Sequence, residues 1–223
     1  MEVASRLLDV GEFTKMAQVG ILKPNEHLEL IDGRIILVHT NGEQRQFTVD
    51  EYYKLAEVGL LNEDDRVELI DGEIVEMSPI GSRHAASVTK LSYILRDCLG
   101  NSATISTQNP VRLHDNSEPV PDIAILKPRD DFYAEHHPAP PDVLLLIEVA
   151  DSSVRQDRER KIPVYARARI PEVWLYDLNK KAITQYSSPD EGRYRRVRAY
   201  GEGETIQSVS LPSLVLDISS VVK

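Results

Sequence analysis

The sequence predicts an α/β fold of the mixed kind, a central sheet with parallel and antiparallel strands flanked by helices. Three observations carry this. A helical apolar stripe over 82–99 precedes a series of strand-length apolar segments. One of these, the run Val-Leu-Leu-Leu-Ile over 143–147, is apolar on both faces and so belongs in the middle of a sheet. A charged helix then separates it from another short apolar strand, Glu-Val-Trp-Leu-Tyr-Asp, over 172–177.

In chain order, the first feature is an internal repeat. Residues 16–36 (MAQVGILKPNEHLELIDGRII) align without a gap on 55–75 (LAEVGLLNEDDRVELIDGEIV), at an offset of 39 residues. Two copies are too few for a solenoid. Each reads as a short helix, a turn and a hairpin whose Asp-Gly is a strong turn signal, Asp32-Gly33 in one and Asp71-Gly72 in the other. The first copy is expected as an extra hairpin on the edge of the fold. This divides the chain into an appendage, 1–44, and a main domain, 45–223.

The helix over 82–99 follows from Ala85, Val88, Leu91, Leu95 and Cys98 on one stripe, with Ser82 as its expected cap and Gly100 as its end. Strands are expected over 103–108, 111–114, 120–126 and 143–150. The polar, proline-bearing stretch 127–142 is a loop long enough to suggest a functional contact. The charged helix, about 154–168, has Asp151-Ser152-Ser153 as cap residues and Pro163 inside it, which predicts a late start or a kink. A hairpin of 182–186 with 194–199, joined by Ser-Ser-Pro-Asp-Glu-Gly, and an apolar tail over 205–218 complete the chain.

At 223 residues, 41% hydrophobic and 28% charged, there is enough apolar material for one core. No stretch is long and apolar enough for a membrane span, and Met1-Glu2-Val3-Ala4-Ser5-Arg6 opens with an early acid rather than a signal-peptide pattern. The single Cys98 excludes an internal disulfide and a thiolate zinc cluster. The expected compartment is the cytoplasm. A net charge of −10 and a pI near 5.1 make the chain repulsive to nucleic acid overall. Basic stretches at Arg155, Arg158, Arg160 and Lys161, and at Arg193, Arg195, Arg196 and Arg198, leave room for weak or partner-assisted binding.

Two acids stand where acids are costly. Asp122 opens the apolar segment Asp-Ile-Ala-Ile, and Glu148 closes the run over 143–147. Either one alone is read as satisfied by backbone amides or an arginine. Together at the open end of a sheet they suit a hard cation, Mg2+ or Mn2+, which lowers the pKa of bound water and offsets phosphate charge. In the following helix Asp157, Lys161 and Tyr165 share a face. By itself that is an exposed acid–base pair. Placed just after Glu148, Lys161 can turn toward the strand end and stabilise an oxyanion or orient a water. The adjacent His136 and His137 point apart and are read as solvent-exposed rather than as zinc ligands.

Taken in order, a larger set resembles the Uma-two-like restriction endonucleases, a branch of the PD-(D/E)XK nuclease superfamily. The set is Glu68-Leu69-Ile70-Asp71-Gly72-Glu73-Ile74, His84, Pro121-Asp122, Ile147 to Ser153, Asp157, Lys161, Tyr165 and 172–177. The resemblance implies a restriction-endonuclease-like core with a divalent-metal site at one edge. It makes Asp122 the acid of the PD element and Glu148 the acid of the (D/E)XK element, with the Val149 carbonyl as a further ligand. The superfamily lysine is expected two positions after Glu148, where Ala150 stands, and Lys161 takes its place from the helix. Glu68 matches an acid of the first motif and would complete the metal shell, although its counterpart Glu29 has no such context. His84 is a contact for the scissile phosphate or, equally, a cap or surface residue. The implied function is a magnesium-dependent endonuclease acting on DNA, working as a homodimer. The alternative is a nuclease fold that no longer cuts and serves as a binding or assembly module.

Overall fold

In the computed structural model, which describes residues 5–62, 64–151 and 154–222, chain contacts define two units. One comprises the N-terminal residues up to Ser78 with His114–Glu118, the other Pro79–Leu113 with the residues from Pro119 onward.

In the N-terminal unit both copies of the repeat fold alike. The first is α1 (Val10–Gln18), β1 (Leu28–Ile31) and β2 (Arg34–Leu37); the second is α2 (Val49–Glu57), β3 (Val67–Ile70) and β4 (Glu73–Glu76). Each helix begins in a capping box, Asp9 with Glu12 and Thr48 with Glu51, satisfying amides that have no partner inside the helix. Each hairpin turns on Asp-Gly with both residues left-handed, φ 47° and 74° at Asp32-Gly33 and 49° and 75° at Asp71-Gly72. The first copy is not a hairpin laid on a sheet edge. Its Met16, Ile21 and Ile35 share one core with Leu55, Leu60 and Ile74 of the second copy, because a single helix and hairpin cannot bury its own apolar face.

In the second unit α3 runs Ser82–Leu99, bounded as the sequence predicts. Its N-cap is Gly81, with no side-chain cap bond, so Ser82 does not cap it. The elements that follow are β5 (Thr104–Thr107), β6 (Ile123–Leu126), β7 (Val143–Ala150), α4 (Val154–Gln156), a π-helical turn (Asp157–Lys161), α5 (Ile162–Arg167), β8 (Glu172–Asp177), β9 (Ala182–Asp190), β10 (Arg193–Tyr200), β11 (Thr205–Gln207), β12 (Val215–Asp217) and α6 (Ile218–Val222). Six of the strands form a sheet in the order β10-β9-β8-β7-β6-β5. β7 and β8 are parallel, joined by the α4–α5 crossover, and the other neighbours are antiparallel. β7 is internal and almost wholly buried, as its two-sided apolarity requires. Leu145, Ile147 and Val149 face α3 through Leu91 and Leu95.

Two local expectations are corrected. No strand forms over 111–114: Val111 N–H donates to the Pro119 carbonyl, Arg112 N–H to the Pro138 carbonyl, and His114 closes a tight turn with Ser117. Ser187 to Asp190, expected in a loop, belong to β9, and the hairpin turns at Glu191-Gly192. Pro189 is tolerated there because the β8 register ends at Ser187, leaving only β10 beside it. Cap residues 152 and 153 lie outside the described residues.

Candidate active site

Strand register brings the two acids together. β6 and β7 pair antiparallel with Ile123 opposite Ile147, so the next position sets Asp122 across from Glu148. Asp122 Oδ2 accepts the Val149 amide at 2.8 Å and faces His84 Nε2 at 3.0 Å; Oδ1 takes a long contact from Gln108 Nε2 at 3.4 Å. The N–H and C=O of a strand residue point to the same edge, so the Val149 carbonyl is turned toward Asp122 as well. His84 arrives from the first turn of α3. Its hydrogen bond to Asp122 raises the imidazole pKa, burial works against this, and the Asp122 and Asp157 charges and the Val149 backbone leave the net shift upward.

Glu148 is 2% exposed, with Tyr165 Oη donating to its Oε1 at 2.5 Å and Lys161 Nζ 3.4 Å from the same oxygen. The ammonium also donates to the Val120 carbonyl at 3.2 Å. Lys161 and Asp157 are 6% and 7% exposed, so the surface-pair reading of this face fails. The segment that carries them is a π turn. Pro163 has no N–H for the carbonyl four residues back and its ring crowds that carbonyl, which widening the turn relieves. Burial holds the Glu148 carboxyl well above the usual range; Lys161 opposes this, and the Asp157 and Asp122 charges add to it.

Glu148 thus lies within reach of two further acid charges, Asp122 and Asp157, with the Lys161 ammonium opposing them. The free donors are oxygens. The contacts of Glu148 fall on Oε1, and Asp122 Oδ1 is only weakly engaged. Among the described residues no group of three or more His, Cys, Asp or Glu side chains is set to hold a metal ion. The oxygens gathered at this strand end are those of the Asp122 and Glu148 carboxyls, with the Val149 carbonyl beside them. Glu68 belongs to the other unit, where it is 3% exposed on β3, while its counterpart Glu29 is exposed on β1. His136 and His137 are exposed, as expected. The sequence reading gave Tyr165 and Gln108 no role. Tyr165 was detectable as the next residue on the Lys161 face, whereas nothing in sequence marks Gln108, which reaches Asp122 because β5 pairs with β6.

A family model described as "Putative restriction endonuclease", Uma2, matches residues 49–219, well over half of the chain. The chain belongs to the Uma2 family. A search of the curated proteins finds no match. Among solved structures, this Uma2 chain is similar to the crystal structure of a "putative nuclease belonging to DUF820" from Anabaena variabilis, at 17% identity and a TM-score of 0.62. That likeness covers 79% of this chain and 97% of the other, and at such identity it establishes the nuclease-like fold of the Uma2 chain. Among the described residues, no helix is long and apolar enough to cross a membrane.

Proposed function

We propose that this chain is an endonuclease that hydrolyses DNA phosphodiester bonds with Mg2+ or Mn2+ held by Asp122, Glu148 and the Val149 carbonyl. The observation that carries the reading is the buried Lys161 ammonium beside Glu148, one register step from Asp122. A divalent cation at these oxygens would offset charge on the scissile phosphate and acidify a water. Lys161, anchored by the Val120 carbonyl, has its charge fixed in a dry setting, where it can hold the attacking water or a phosphate oxygen. His84, held toward its protonated form by Asp122, adds positive charge where the phosphate would lie. The oxygen of water forms the new P–O bond as the P–O bond to the leaving oxygen breaks, and a proton released by that water ends on the leaving oxygen.

The test is plasmid cleavage with Mg2+ or Mn2+ by the wild type and by Asp122→Ala, Glu148→Ala, Lys161→Ala, His84→Ala and Glu68→Ala. The first two should lose at least about a thousandfold in rate, and Lys161→Ala about a hundredfold. Equal activity in the wild type, Asp122→Ala and Glu148→Ala would sink the assignment. Glu68→Ala reports on the acid taken from the family resemblance. Cutting both strands calls for two sites, which a homodimer would supply; light scattering that finds only the 25.1 kDa chain at micromolar concentration counts against that. One observation favours the non-cutting alternative: Asp122 already has protein partners at both oxygens and Glu148 at one. Calorimetric titration with Mg2+ separates the two, since a site closed by its own partners gives no heat of binding.

A further inference from the structure

The repeat is built as a pair of interlocked halves. Contacts recur at the 39-residue offset and cross from one copy to the other. Arg6 N–H donates to the Ile74 carbonyl at 2.8 Å, and Arg45 N–H to the Ile35 carbonyl at 2.8 Å. Ser5 bridges Val75, and Gln44 bridges Ile36. The side chains repeat the exchange. Arg6, paired with Glu12 of its own copy at 2.5 Å, reaches across to the Leu60 carbonyl at 3.3 Å; Arg45, paired with Glu51 of its own copy at 2.7 Å, reaches across to the Ile21 carbonyl at 3.2 Å. The cores match as well: Leu8, Met16, Ile21 and Ile35 are buried, and so are their counterparts Phe47, Leu55, Leu60 and Ile74. When residue i of one half touches j of the other and j touches i, the interface is two-fold and self-complementary.

The halves differ in what lies against them. Val49 is fully buried and its N–H donates to the Asp115 carbonyl, while its counterpart Val10 is 72% exposed. The second copy is thus the one joined to the 114–118 segment, and it is also the one inside the family match, which begins at residue 49. We propose that the second copy carries a docking surface for another module of its own kind, and that in this chain the first copy fills that surface from within. The surface is homotypic, its partner a second helix–hairpin module. Any pairing of two nuclease sites must then use a different face. This inference stands on the N-terminal unit and is independent of the cleavage reading.

Two experiments on the full chain test it. In the first, residues 6–36 are replaced by a verbatim second copy of residues 45–75. A self-complementary surface accepts its own kind, so this chimera should keep the parent's mass in solution and melt within about 5 °C of it. A chimera that is unfolded or aggregated overturns the proposal. In the second, a protease site is placed in the turn over 38–43 and cut. The two pieces should co-elute, and the larger one, separated from the first copy and returned to micromolar concentration, should pair with itself and double its mass. A larger piece that sheds the first copy and stays single also overturns it.

Discussion

Glu148 and Glu172 are buried carboxylates on neighbouring strands, and their surroundings differ in kind. Glu172 is fully buried and accepts six hydrogen bonds, from Trp174 Nε1, Gln185 Nε2, the Ser208 and Ser210 hydroxyls and the amides of Val209 and Ser210, at 2.6–2.9 Å. It ties the segment after β11 to the sheet. Glu172→Ala would leave those donors unpaired, and denaturant unfolding should show a loss of about 3–5 kcal/mol. Glu148 has a hydroxyl, one lysine and two acids nearby, so its proton is held more tightly in the folded than in the unfolded chain. The sign follows: its burden on stability is least below the ordinary glutamate pKa of about 4.3 and grows as pH rises toward its folded value. Glu148→Gln should therefore melt higher than the wild type at pH 8, with the difference fading by pH 5; a wild type that is the more stable at pH 8 refutes this. In sequence each is simply an acid bordering an apolar run. The donors that set Glu172 apart lie up to 38 residues away, where no local pattern reaches.

At the scale of elements, the segment between β7 and β8 decides the site. Its proline was visible and a kink was expected, but the π turn was not, since widening and bending relieve the same clash. Pro163→Ala removes the cause. A regular helix would then rotate Asp157 and Lys161 relative to Tyr165, at about 100° per residue gained or lost. Thermal stability should hold or rise, because alanine is the better helix former, while cleavage falls at least about tenfold. Full activity in Pro163→Ala would show that the turn is not what places Lys161. The helix α3 and strands β7 and β8 were legible to the residue because period and composition agree there. The false strand over 111–114 shows the opposite case, where a short β-like composition yields to long-range loop hydrogen bonds.

At the scale of the whole chain, acid stability should be set by the N-terminal unit. Arg45 is 6% exposed and bridges Glu26 and Glu51. Burial pushes both carboxyls up, but the hydrogen bonds they accept, from Arg45 and from nearby backbone amides, outweigh it and the net shifts are downward. Their contribution is therefore complete above the ordinary glutamate pKa of about 4.3 and is lost as pH falls through the lower folded values. Melting followed from pH 6 to pH 3 should show that loss, and Arg45→Met should flatten it. The same substitution should cost about 2 kcal/mol at neutral pH, less than for a fully buried pair because both glutamates are partly exposed.

The sequence by itself determined the mixed α/β class, the repeat, the bounds of the principal helix and strands, and the acid pair at the ends of β6 and β7. Those follow from periodicity, turn chemistry and the cost of placing a charge in an apolar run, all of which act between near neighbours. Only the tertiary structure decided that Asp122 stands across from Glu148, that Lys161 and Tyr165 close on one carboxylate oxygen, and that the two repeats clasp each other. Those outcomes depend on strand register and on a helix distortion. Both are fixed by packing between segments far apart in the chain, where single-residue preferences carry no information.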